Sequence, residues 1–199
     1  MKKRLLVAAV ATIVMISMMA STAFAMEVGE TKGSEEIILT LDENGNAGVS
    51  VGFIVYSDHT DYFDMSIPDQ KDAFYNAQTS MASSNSIMPL AEVGMIHVGI
   101  EMSGSKYKMY YDVTGTALKS ARGYMKCKST ALLFATTYLD EYFLNTSALG
   151  TTKLSGESAL FSLPDGTEKV KVGWHDVTIL DVDGGSATPS DTYASVKVG

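Results

Sequence analysis

Lys106-Tyr107-Lys108-Met109-Tyr110-Tyr111-Asp112-Val113 decides the fold class. Tyr107, Met109, Tyr111 and Val113 alternate with Lys106, Lys108, Tyr110 and Asp112. A period of two suits a strand with one face on a core and the other in water. The pattern recurs downstream, where Met125 and Cys127 alternate with Tyr124, Lys126 and Lys128, and Val170, Val172 and Trp174 alternate with Lys169, Lys171 and Gly173. Upstream, Met95 to Met102 reads as a strand ending at the turn Ser103-Gly104-Ser105, and a last strand falls near Tyr193 to Val198. Strands separated by Gly, Ser and Asp turns predict a mainly β protein, with an antiparallel β-sandwich over residues 91–199. Residues 130–145 suit a helix about as well as a strand; Thr136-Thr137 and the neighbouring strands favour a strand over 130–138.

Before residue 91 the pattern changes twice. Residues 26–64 form an N-terminal hairpin region: Ile37, Leu39 and Leu41 alternate before Asp42-Glu43-Asn44-Gly45-Asn46, and Val49, Val51 and Phe53 alternate after it. An Asn-Gly pair between alternating runs predicts a β-hairpin over 36–58. Asp42, Asn44 and Asn46 echo the start of a calcium-binding EF-hand loop, but Ala47 and Phe53 stand where that loop needs Gly and Glu. Residues 65–90 read as a short helix or polar connector, with Pro68 at a helix start and Phe74, Ala77 and Met81 on one face.

The chain begins with Lys2, Lys3 and Arg4, an apolar run from Leu5 to Ala20, and Ala23-Phe24-Ala25. That order predicts a signal peptide over residues 1–25, cleaved after Ala25, and hence a secreted protein without a stable membrane anchor. The apolar run is also about long enough to span a bilayer; the Ala-x-Ala site favours cleavage. The remaining 174 residues carry twelve basic against 23 acidic side chains. That balance argues against nucleic acid as a partner. With 46% hydrophobic residues the chain can bury a core, and its single cysteine excludes a disulfide framework.

No pattern for catalysis stands out. Gly156-Glu157-Ser158-Ala159 is followed by Leu160, not Gly, so no nucleophile elbow is encoded. Ser103 and Lys106 have a Ser-x-x-Lys spacing, but in a turn instead of on a helix. Cys127 shares the apolar face with Met125 and reads as a small buried hydrophobe. No cofactor is expected except calcium, for which Asp58, Asp61, Asp64, Asp181 and Asp183 are weak candidate ligands at loop ends. Acidic residues there also close turns through local hydrogen bonds.

Leu163-Pro164-Asp165-Gly166-Thr167, Val170-Lys171-Val172 and Gly184-Gly185-Ser186-Ala187-Thr188-Pro189-Ser190-Asp191 together resemble the end of a fibronectin type III or related immunoglobulin-like module. The resemblance covers residues 163–198. More widely the chain resembles small secreted proteins of Gram-positive bacteria. The resemblance implies an immunoglobulin-like antiparallel β-sandwich and, by analogy, a binding or scaffold role.

Charge is distributed unevenly. Residues 106–128 hold Lys106, Lys108, Lys119, Arg122, Lys126 and Lys128 against Asp112 alone. If 106–113 and 122–128 are paired strands, alternation places Lys106, Lys108, Tyr110, Arg122, Tyr124, Lys126 and Lys128 on one outer face. Such a face suits an anionic glycan or cell-wall polymer, with lysines supplying the field and tyrosines flat surfaces for sugar rings. Outward lysines also keep sheets from pairing with one another. The expected function is therefore a secreted, non-enzymatic binding or surface-interaction module for a glycan, wall polymer or protein. The alternatives are a small extracellular hydrolase using His59, His97 or His175, and a calcium-stabilised structural protein.

Overall fold

A computed structural model describes residues 38–83, 92–131 and 134–199. The expected signal peptide and the connector at 84–91 lie outside the described residues. In chain order the elements are β1 (Ile38–Thr40), β2 (Asn46–Val55), β3 (Thr60–Asp64), α1 (Pro68–Ser83), β4 (Glu92–Ser103), β5 (Lys106–Ser129), β6 (Thr137–Glu157), β7 (Lys169–Asp181), β8 (Ser186–Ala187) and β9 (Thr192–Lys197). The mainly β class holds, at 65% strand and 9% helix. The hydrogen bonding describes one mixed sheet curled into a half-barrel, and two separate immunoglobulin-like sheets are not what it shows.

The curl originates in β5. Its first part pairs antiparallel with β4, from Lys106 to Thr114, and its second with β7, from Leu118 to Ser129. β6 follows both parts along the other edge. The register shifts between Thr114 and Leu118 and again before Ser120. Bulges of this kind bend a strand and raise its twist. One limb is thus β3-β2-β4 with the start of β5, and the other is β1-β9-β7 with its end.

The inner faces of the limbs share one core. Val98, Ile100, Met109 and Val113 come from the first limb, and Met125, Cys127, Val172 and Trp174 from the second. Tyr111 of the first part of β5 stacks on Phe143, beside Gly123 of the second, with ring centroids 4.1 Å apart. Each large apolar side chain buried this way contributes about 1.5–3 kcal/mol relative to exposure.

The helix covers part of the first limb's outer face. Pro68 occupies its first position and Asp69 its first turn, where a fixed φ and a negative charge both suit a helix start. The Asp64 carboxylate accepts from the Ser66 N–H at 2.9 Å and the Ser66 hydroxyl at 2.6 Å, closing the turn before the helix. Phe74 is buried over Gly52, where a Cβ would stand 2.8 Å from its ring. A glycine at 52 is therefore what lets the helix sit this close.

Three sequence expectations are corrected. The turn at Asp42–Asn46 forms, with the Asp42 carboxylate accepting from the Asn44 and Asn46 N–H groups, but it does not close a hairpin over 36–58. Its flanking strands diverge: β1 pairs in parallel with β9, and β2 pairs with β3 and β4. Residues 106–113 and 122–128 are not paired strands; they are two parts of the single strand β5. The strand expected over 130–138 starts only at Thr137. Ser129 and Thr136 bond each other across the connection, and Phe134 there has a φ of 73° and is 98% exposed.

Candidate functional site

The outer face of the second limb carries aromatic and charged side chains that lie in register. Tyr142 on β6, Tyr124 on β5 and His175 on β7 are direct cross-strand neighbours. Tyr124 stacks on the imidazole at 4.7 Å with the planes 6° apart, and meets Tyr142 at 5.2 Å. In the next row, Asp140, Lys126 and Gly173 are aligned, with Tyr193 of β9 opposite Gly173. Lys128 lies 4.0 Å above the Tyr193 ring. Burial, followed by Asp191, Asp140 and Asp176, pushes the Tyr193 hydroxyl up to about 12, so it remains a neutral phenol.

His175 is held at both ends. Its Nε2 lies 2.8 Å from Asp140 Oδ1 and its Nδ1 2.9 Å from Asp176 Oδ2. Carboxylates only accept, so both contacts are hydrogen bonds only when the ring carries two protons. Partial burial works against that charge, but the bonds to Asp140 and Asp176 prevail and raise the imidazole pKa. Asp176 reaches its place through an irregularity in β7: the register against β5 slips between Arg122 and Tyr124, and Asp176 has a φ of 53°. A non-glycine residue in the left-handed region is uncommon, and Asp tolerates it better than most. A bulge with such a residue re-aims a side chain.

Beyond Tyr193 the same face turns strongly basic. Lys128 stands directly opposite Lys171, and Lys169 directly opposite Lys197. None of these four makes an ion pair among the described residues. Burial, then Lys126 and Lys171, lowers the pKa of Lys128, with Asp191 opposing. Like charges directly across strands are destabilising, so this arrangement works against the sheet's own stability.

The seven expected face residues separate into two groups. Arg122, Tyr124, Lys126 and Lys128 lie on this face, while Lys106, Lys108 and Tyr110 lie on the outer face of the first limb. There the basic charge is largely neutralised: Lys108 pairs with Glu157 at 2.9 Å and Glu101 at 3.3 Å. On the second limb Lys126 is paired with Asp140 at 2.7 Å. His175, Tyr142, Tyr193, Lys169, Lys171 and Lys197 were absent from the sequence-derived face. They reside on other strands, and only the register joins them to β5.

The first limb has its own polar cluster. Ser50 Oγ lies 2.6 Å from His97 Nδ1, and Tyr110 OH 3.1 Å from His97 Nε2. Burial lowers the His97 pKa, with Asp112 opposing, so the ring is neutral at pH 7 and can accept the serine proton. A groove of about 400 Å³ runs beside it, lined by Asn46, Glu101, Tyr110, Asp112, Lys153 and Glu157 among others. Cys127 is fully buried, its thiol pushed up to about 12 by that burial.

The calcium candidates do not converge. Asp58 and Asp61 flank His59, at 2.8 and 3.7 Å, and Asp64 closes the turn before α1. Asp181 accepts from the Gly185 N–H at 2.7 Å. No group of three or more His, Cys, Asp or Glu side chains among the described residues is placed to hold a metal. No described helix is long and apolar enough to cross a membrane. No protein-family model, curated protein or solved structure matches this chain.

Proposed function

We propose that this chain is a secreted, non-enzymatic binding module that takes an anionic glycan or cell-wall polymer on the outer face of β5, β6, β7 and β9. The observation that carries this reading is the adjacency of two features. The Tyr142–Tyr124–His175 row supplies flat rings, and Lys128, Lys171, Lys169 and Lys197 form a basic end that makes no ion pair among the described residues. Aromatic faces receive the apolar side of a sugar ring, and unpaired lysines attract its acidic substituents. The immunoglobulin-like resemblance of residues 163–198 supports a binding role by analogy alone.

The test is binding of the purified protein to a panel of glycans and wall polymers at low and at physiological salt. The expected hit weakens with salt. Tyr124→Ala lowers affinity about tenfold, equivalent to ~1.4 kcal/mol, and Lys128→Ala with Lys171→Ala removes most of the salt dependence. No hit at either salt, or a hit indifferent to these variants with the fold intact, would sink the reading. A second reading, a small extracellular hydrolase, has the Ser50–His97 contact in its favour. Ester hydrolysis abolished by Ser50→Ala and by His97→Gln would support it.

A further inference from the structure

The connection between β5 and β6 exposes an apolar side chain at a cost to the fold. In sequence it reads Ala131-Leu132-Leu133-Phe134-Ala135, without one polar side chain. Its ends are clasped: the Ser129 N–H donates to Thr136 O at 2.8 Å, and the Thr136 N–H donates to Ser129 Oγ at 2.9 Å. Beyond the clasp Phe134 is 98% exposed and has a φ of 73°. The left-handed region is unfavourable for a bulky residue, and full exposure forgoes the burial of an aromatic ring. Two local costs at one residue point to a use outside the fold.

The end of the limb that carries this tip is also its basic end. Thr137 at the start of β6, Lys128 and Lys171 are aligned across three strands. Ser129 stands opposite Val170, so Lys169 lies level with the start of the connection, and Lys197 is its partner on β9. Alternation and register put Lys128, Lys171, Lys169 and Lys197 on one face. None of them makes an ion pair among the described residues, and Asp191 is the acid acting on Lys128.

An apolar ring ahead of a rank of lysines matches the two layers of an anionic bilayer surface. The ring enters the boundary between headgroups and acyl chains, while the ammonium groups stay at the headgroups. Such a boundary takes a projecting ring without a shaped pocket. We propose that Phe134 and these four lysines dock the protein reversibly on an anionic lipid surface. Headgroup phosphates then supply the counter-charge that Lys128 and Lys171 lack across their strands. The lysines are shared with the polymer-binding reading and Phe134 is not, so either can fail alone.

Vesicles of phosphatidylglycerol with phosphatidylcholine, set against phosphatidylcholine alone, test this on the full chain. In Phe134→Trp the added indole should shift to the blue and be quenched by brominated acyl chains, on the anionic vesicles alone. Trp174 is fully buried and gives a constant background. The readout belongs to the tip itself, whatever the apolar run from Leu5 to Ala20 does. Sedimentation with the same vesicles should show Phe134→Gly weakened about tenfold, although glycine suits this φ and should melt no lower than wild type. Lys169→Ala with Lys197→Ala should lose about fivefold per lysine, and added salt should weaken wild type likewise. An added indole that neither shifts nor is quenched overturns the proposal. Vesicle binding that Phe134→Gly leaves unchanged, or that neutral vesicles match, overturns it equally. Soluble anionic polymer bound as well by Phe134→Gly as by wild type, with no vesicle binding by either, would leave the polymer reading standing and refute this one.

Discussion

His175 has a carboxylate oxygen within hydrogen-bonding distance of each ring nitrogen, and this couples it to pH. Its raised pKa means that its contribution to stability is complete below the ordinary value of 6.5 and lost as pH rises through the folded one. Melting curves of wild type and His175→Gln should therefore differ most in mild acid and converge in alkali. Identical gaps at pH 5.5 and pH 9 would refute the clamp. Cys127 makes a second prediction. With its thiol near 12 and its side chain fully buried, it should resist iodoacetamide at pH 8 in the native protein and react once urea unfolds it. The burial of Cys127 was legible in the sequence, because it shares an alternating face with Met125. The clamp on His175 was not: Asp140 is 35 residues away, and Asp176 reaches the ring only through the irregular register of β7.

At the scale of elements, Phe74 is the buried residue that seats α1 on the sheet. Phe74 is 2% exposed and lies over Gly52 and beside Phe63, while the rest of the helix is mostly exposed. Phe74→Ala should cost about 3–5 kcal/mol, read from urea unfolding. A cost under ~1 kcal/mol would mean that the helix contributes little to the fold. Alternation correctly marked residues 106–113 and 122–128 as extended. It could not show them to be one strand, because Thr114 to Ala117 breaks the period at the bulges. The Asn44-Gly45 pair likewise marked a true turn, but a turn's chemistry does not say which strands it joins. Here β1 takes β9 as its partner, almost the whole described chain away.

For the whole molecule, the basic run along β5 and the basic patch on the surface are different objects. Cross-strand acids neutralise Lys108 and Lys126, whereas lysines from β5, β7 and β9 gather where no ion pair forms among the described residues. Lys171→Glu should thus relieve the repulsion with Lys128 and stabilise the fold by about 0.2–1 kcal/mol. The same change should abolish binding to an anionic polymer. Loss of stability together with unchanged binding would contradict both parts. The parallel pairing of Ile38–Thr40 with Ser195–Lys197 has a kinetic consequence. The β5–β6 hairpin closes through contacts near in sequence, whereas β1 and β9 must find each other after the intervening chain is ordered. During synthesis the first strand of the sheet waits for the last, so a nascent chain stopped before residue 192 would leave β7 with an open edge, prone to associate with other chains.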